Sequence, residues 1–271
     1  MATLSITTAW NETTQFVQRE SRLLFPIAFL LIALPAGIIQ LFMPTPGAPP
    51  SEVFAALALV IPLALIGGIL GMIGTIALSY LALRPGASVG EALQAGGRRF
   101  IFLFVAWLLI GIAAALALIP FVVVAALTSG QAAQPNQLSP AAALLLLVYF
   151  AGFLAVWIRL MLTTPIAAVE KAGPIEMLTR SWNLTRGHFW RLLGFAILFA
   201  LAAGIAIFAI SAIVGIVIFL IAGPPLPGTT SMILVLLVWA ILQSAASVLA
   251  ATLISRIYAQ LSGFGREGVF T

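Results

Sequence analysis

The chain has 271 residues, 63% hydrophobic and 7% charged, a balance no soluble domain carries without exposing apolar surface it cannot cover. Its net charge of +5 would suggest nucleic acid, but the positions of the charges report membrane topology instead, so no nucleic-acid partner is expected. There is no Cys and no Asp and only one His, which excludes a disulfide framework, a thiolate nucleophile and a thiolate metal site.

The first 22 residues hold Glu12, Arg19, Glu20 and Arg22 and lack the short apolar core of a signal peptide, so the first hydrophobic helix is expected both to target and to anchor the chain. Six hydrophobic runs follow, at 23–43, 53–83, 100–127, 141–169, 189–222 and 232–261. They are continuous rather than alternating, which selects helices over a β-barrel, and each reaches the roughly 20 residues a bilayer core requires. The predicted class is an all-α integral membrane domain over 1–271 with six transmembrane helices and a short tail at 263–271.

The loops "PTPGAPPSE", "SGQAAQPNQLS" and "GPPLPGTTS" contain one Glu and no Lys or Arg. The other ends hold Arg19, Arg22, Arg84, Arg98, Arg99, Lys171, Arg180, Arg186, Arg191, Arg256 and Arg266. The positive-inside rule therefore predicts that both termini are cytoplasmic.

Before the odd spans stand "SITTAWNETTQFVQRESRLLF", "SVGEALQAGGRRFIFLF" and "PIEMLTRSWNLTRGHFWRLLGF", each a short polar-apolar stretch that reaches Arg before the apolar run. The even spans end alike in "LRPG", "EKAG" and "QLSG". These similarities predict three units, at about 1–86, 87–173 and 174–262, each an interfacial amphipathic helix followed by a transmembrane hairpin. All three hairpins run in one sense, which predicts a pseudo-threefold axis along the membrane normal. Ser88 with Glu91 is a capping-box pattern. The even spans are longer than a bilayer crossing needs, so their still-apolar ends are expected to pack beneath the interfacial helices.

Arg159 falls near the inner end of the fourth span, where it reads as a snorkelling anchor, with a cation facing a cavity as the alternative. Thr163 and Thr164 beside Pro165 are read as satisfying carbonyls that the proline frees. Gln243, Ser244 and Ser247 complete the candidate polar lining of a central cavity. Gly67 and Gly71 form a small-xxx-small pair for close helix approach. Pro35, Pro62, Pro120 and Pro165 are predicted kinks. Glu170 reads as a solvated end cap.

The richest stretch is "SWNLTRGHFWRLLGF". Arg180, Arg186, His188 and Arg191 lie among Trp182 and Trp190, at the depth Trp rings favour, and basic groups there gain on the order of 1 kcal/mol each from anionic lipid. The sequence reads as a topology anchor and, with Arg98 and Arg99, as a candidate phospholipid-headgroup site. His188 has Glu170 and Glu176 as its nearest carboxylates in sequence, too few partners for a hydrolytic or metal constellation. No catalytic residue, metal ligand or cofactor is expected.

"RSWNLTRGHFWRLLGF", "SVGEAL" and the terminal "RIYAQL" resemble the membrane domain attached to some bacterial glycerophosphodiester phosphodiesterases, and the related YciC-like six-span inner-membrane proteins. The resemblance implies a bacterial inner-membrane location and a connection with lipid or the envelope. In that family the catalytic domain is a separate soluble barrel rich in acidic residues and His, which nothing here matches, so no activity is implied. The expected role is non-enzymatic: engagement of anionic phospholipid, with membrane organisation or support of a protein partner or a second copy. The alternative is a transporter or channel for a lipid or hydrophobic small molecule between the repeats.

Overall fold

The computed structural model describes residues 5–44, 47, 49–128, 139–226 and 228–264; most of the second loop, the tail and Arg266 lie outside the described residues. Helix α1 (Ile6–Ala28) passes through a π-helical turn, Phe29–Ala33, into α2 (Leu34–Leu41), followed by α3 (Pro50–Leu83), α4 (Val89–Thr128) and α5 (Pro140–Leu160). Then come α6 (Thr163–Val169), α7 (Pro174–Thr185), α8 (Phe189–Ala222) and α9 (Thr230–Ser262). Among the described residues, six runs are long and apolar enough to cross a membrane: Ile6–Leu41, Pro50–Leu83, Val89–Thr128, Pro140–Val169, Phe189–Ala222 and Thr230–Ser262. The chain is a multi-pass membrane protein whose described residues form helices and no strand.

Local sequence explains the breaks. Pro35 has no N–H and its ring crowds the carbonyl four residues back, and the widened π turn immediately before it absorbs that clash. In the fourth span the helix breaks between α5 and α6, just ahead of Pro165, and the Thr163 hydroxyl donates to the Leu160 carbonyl at 2.6 Å. The carbonyl that Pro165 leaves without a donor is that of Met161, so the Thr163 hydroxyl satisfies its neighbour at the end of α5 instead.

The short helices before the odd spans differ among themselves. In the first and second cases they run into the span without interruption, as 36- and 40-residue helices. The second is capped as expected, with Ser88 N–H donating to Glu91 Oε2 at 2.9 Å and Glu91 N–H to Ser88 Oγ at 3.2 Å. Only α7 is a separate helix, because Gly187 takes φ +90° and lets the chain turn before α8.

The spans form a closed ring in which each touches the next and α9 touches α1. Inside it, α3, α6 and α9 meet at the end that carries the arginines. Ile76, Leu83, Leu162, Ile166, Leu253, Ile257 and Tyr258 form a continuous core there, with Ala9, Leu103, Met177 and Leu192 from the odd-span side covering it. A second cluster joins Leu24 and Ala28 of α1 to Ala77 and Leu81 of α3, Ala92 of α4 and Val248 of α9. The expectation that the even-span ends pack beneath the preceding short helices matches this arrangement. None of the most apolar window of α4 or α8 is buried, and Phe208, Leu220 and Ile221 are almost bare.

This distribution follows from the two solvents. A 40-residue helix is about 60 Å long against ~30 Å of hydrocarbon, so its ends project. Where the surroundings are lipid, burial of Leu or Ile gains nothing over leaving it exposed, and contacts there stay few. At the projecting end the alternative is water, and each buried Leu, Ile or Met stabilises by ~1.5–3 kcal/mol.

Small residues set the closest approaches. A Cβ on Gly67 would stand 3.2 Å from Ile39, and one on Gly74 3.0 Å from Leu31, so these two seat the first span. Gly71 meets nothing within 4 Å, so the close-approach pair is Gly67 with Gly74 rather than with Gly71. The tightest contact was not anticipated: a Cβ on Gly96 of α4 would lie 2.7 Å from the Ile73 carbonyl oxygen of α3.

Candidate functional site

Glu170 closes α6 and stands at the meeting point of three other helices. Its Oε1 accepts from the Tyr258 hydroxyl of α9 at 2.5 Å and from Arg180 Nε of α7 at 3.3 Å, while its backbone carbonyl accepts from an Arg99 guanidinium nitrogen of α4. Tyr258 is 1% exposed, so its hydroxyl has no access to water to replace this partner. Glu170 is therefore not only a solvated end cap; it ties α4, α7 and α9 to α6. Arg180 and Glu170 form the one ion pair among the described residues.

Helix α7 is docked by its buried face. Ser181 and Thr185 are buried and both donate to the Arg159 carbonyl, at 2.8 and 3.3 Å. At its start Gly173 N–H donates to Glu176 Oε2 at 3.3 Å, which holds that carboxylate at the helix N-terminus. The Arg159 guanidinium lies 4.8 Å from the Trp182 ring and 5.5 Å from Phe189, a cation–π contact at the junction of α7 and α8. The structure thus turns Arg159 toward that junction and away from the ring's centre.

The predicted headgroup residues divide into two groups. Arg99 and Arg180 are bound to Glu170. The side chains of Arg98, Arg186 and Arg191 are exposed and make no hydrogen bond or ion pair among the described residues, and Trp190, next to Arg191 in the chain, is 79% exposed. His188 Nδ1 is buried without a partner, and neither Glu170 nor Glu176 bonds to it.

The predicted cavity residues are dispersed. A central cavity of about 380 Å³ lies between Gly71 and Thr75 of α3, Trp107 of α4, Trp157 of α5, Thr164 of α6 and Ile254 of α9. Trp107 and Trp157 touch, with ring centroids 5.2 Å apart. Only Thr164 of the anticipated set lines it. The Thr75 hydroxyl is bonded to its own helix at the Met72 carbonyl, and Ser244 is likewise bonded to the Ala240 carbonyl. Gln243 and Ser247 lie half-buried on α9, outside the lining.

Sequence reasoning missed the convergence on Glu170, because two of its three partners, Arg99 and Tyr258, are 71 and 88 residues away and no spacing motif joins them. A family model covers residues 6–261, nearly the whole described chain. The chain belongs to the DUF7847 family. That family is described as a domain of unknown function. Neither curated proteins nor solved structures yield a match. For this DUF7847 member, the functional reading therefore rests on the geometry above.

Proposed function

We propose that this protein is a non-enzymatic inner-membrane protein of bacterial type that engages anionic phospholipid at its arginine-bearing end and organises membrane or supports a protein partner. The observation that carries this reading is the set of exposed, unpaired cations Arg98, Arg186 and Arg191, with the bare Trp190 ring next to Arg191, at the arginine-bearing end of a bundle whose spans are apolar. In a membrane, such cations have lipid phosphates as their nearest anions. Lipid analysis of the protein extracted in native membrane discs is the test. Wild type is expected to be enriched in one anionic lipid over bulk membrane, and an Arg98→Ala, Arg186→Ala, Arg191→Ala triple variant to lose the enrichment. Equal lipid profiles would overturn the proposal.

The reading includes three units around a pseudo-threefold axis, with both termini cytoplasmic. Support comes from the matching positions of the even-span ends: α1 lies against α9 and α3, the start of α4 against α3 and α6, and α7 against α6 and α9. The absence of Cys makes the orientation simple to test. A membrane-impermeant maleimide added to intact cells should label Ser51→Cys and Thr229→Cys, and label Ala87→Cys and Asn183→Cys only after lysis. The reverse pattern would refute the orientation. Transport between the units is the weaker reading, since the hydroxyls of Thr75, Thr163 and Ser244 are committed to their own backbones and line no continuous polar path.

A further inference from the structure

A separate groove of about 450 Å³ opens at the arginine-bearing end between α1, the end of α3 with its following turn, and α9. Five charged side chains line it: Arg19, Arg84 and Arg256, with Glu12 and Glu20. None is ion-paired with another, although the groove brings them together. Arg256 is held with its guanidinium carbon 5.2 Å from the Phe16 ring, and its buried Nε has no hydrogen-bond partner. Arg84 is fixed from behind by the Tyr80 hydroxyl, at 3.2 Å, and lies over the Tyr80 ring. Two arginines are thus positioned by aromatic rings with donor capacity left over.

Along α1 the lining is graded. Glu12 is about 10 Å of helix rise from Arg19, and Arg19 about 6 Å from the exposed Leu23, which begins the apolar span. Toward the membrane the charged and apolar groups follow as Glu12, Arg19, Glu20 and Leu23, so Glu12 is the acid on the far side of the bases from the apolar span.

We propose that this groove binds the headgroup of an amine-bearing phospholipid. Arg19, Arg84 and Arg256 take the phosphate, Glu12 takes the ammonium N–H groups with Glu20 adding negative charge beside Arg19, and the acyl chains pass along Leu23. A phosphoethanolamine headgroup supplies both charges and donors in this order. An anionic glycerol headgroup offers the carboxylates hydroxyls but no counter-charge, and a choline headgroup has no N–H to donate. The proposal rests on the reading that this end lies at headgroup level, but not on the Arg98, Arg186, Arg191 patch.

The test is native mass spectrometry of the full chain in phosphatidylcholine nanodiscs containing either phosphatidylethanolamine or phosphatidylglycerol. Wild type should retain one phosphatidylethanolamine, preferred over either other lipid by roughly tenfold or more. A Glu12→Gln, Glu20→Gln variant should lose the preference over phosphatidylglycerol. Arg84→Gln, Arg256→Gln should lose retention of both. Because Glu12 is exposed and neither carboxylate supports another side chain, the Glu variant keeps the test valid even where the Arg variant unfolds. Indistinguishable retention of the three lipids, or a preference unchanged in the Glu variant, overturns the proposal. Displacement by soluble phosphoethanolamine at equal affinity would assign the groove to a soluble ligand and overturn its lipid half. The Arg98, Arg186, Arg191 variant should keep the preference, so failure of the anionic patch and failure of the groove read differently.

Discussion

Glu170→Ala is expected to be the most destabilising single substitution at the arginine-bearing end. It removes the acceptor of a buried hydroxyl, Tyr258, and the counter-charge of Arg180 in one step. Hydrogen bonds to a charged group contribute about 1.5–3 kcal/mol, and stranding a buried donor adds its desolvation cost. A loss of roughly 3 kcal/mol, seen as a Tm drop of several degrees in detergent, is the anticipated result. Tyr258→Phe should cost less, since it removes the donor along with its need for a partner. The double variant should cost clearly less than the sum of the singles. Arg180→Ala should stay within about 1 kcal/mol, because its side chain is 48% exposed. Additive Glu170 and Tyr258 effects would show that the contact carries no coupling.

The second large effect is expected at Gly96. A Cβ there would press on the Ile73 carbonyl oxygen at 2.7 Å, and a backbone atom has no rotamer to escape into. Gly96→Ala should therefore separate α4 from α3 and cost about 1–3 kcal/mol, with Gly96→Val worse. Gly97 supplies the control: its Cβ would meet nothing within 4 Å, so Gly97→Ala should be neutral or stabilise by up to about 1 kcal/mol through helix propensity. Thermal denaturation of the pair in one detergent compares them directly. Equal behaviour of Gly96→Ala and Gly97→Ala would refute the close-contact account.

The six spans were readable because apolar run length reports the bilayer; the fifth helix matches its predicted run, the first starts earlier and ends at Leu41, and the others extend their runs at one or both ends. Ser88 and Glu91 were readable because a capping box is local. The continuity of α4 through Gly96 and Gly97 was not, since a glycine pair weakens a helix locally and only the packing against Ile73 explains the first of them. The same limit hid the role of Gly74 behind the more familiar spacing of Gly67 and Gly71. Arg159 reads in sequence as an interfacial anchor at the end of the fourth span, and the rings it meets lie on α7 and α8, which no local spacing joins to it. Glu170 looked like any acid at a helix end. What distinguishes it is the side chains around it, and those are set by how the even-span ends converge.

The contact between α1 and α9 has a consequence for assembly. Val248 of α9 sits among Leu24 and Ala28 of α1, and Ser5 N–H donates to Gln260 Oε1 at 3.1 Å. During synthesis the first span must wait for the sixth before its flank is covered. A chain with five spans inserted is an open arc, with the apolar faces beside Leu24 and Ala77 uncovered at the water-facing end. Quality control that senses such a flank would thereby distinguish finished from unfinished molecules, and a truncation before α9 should be degraded while each of its remaining hairpins still inserts.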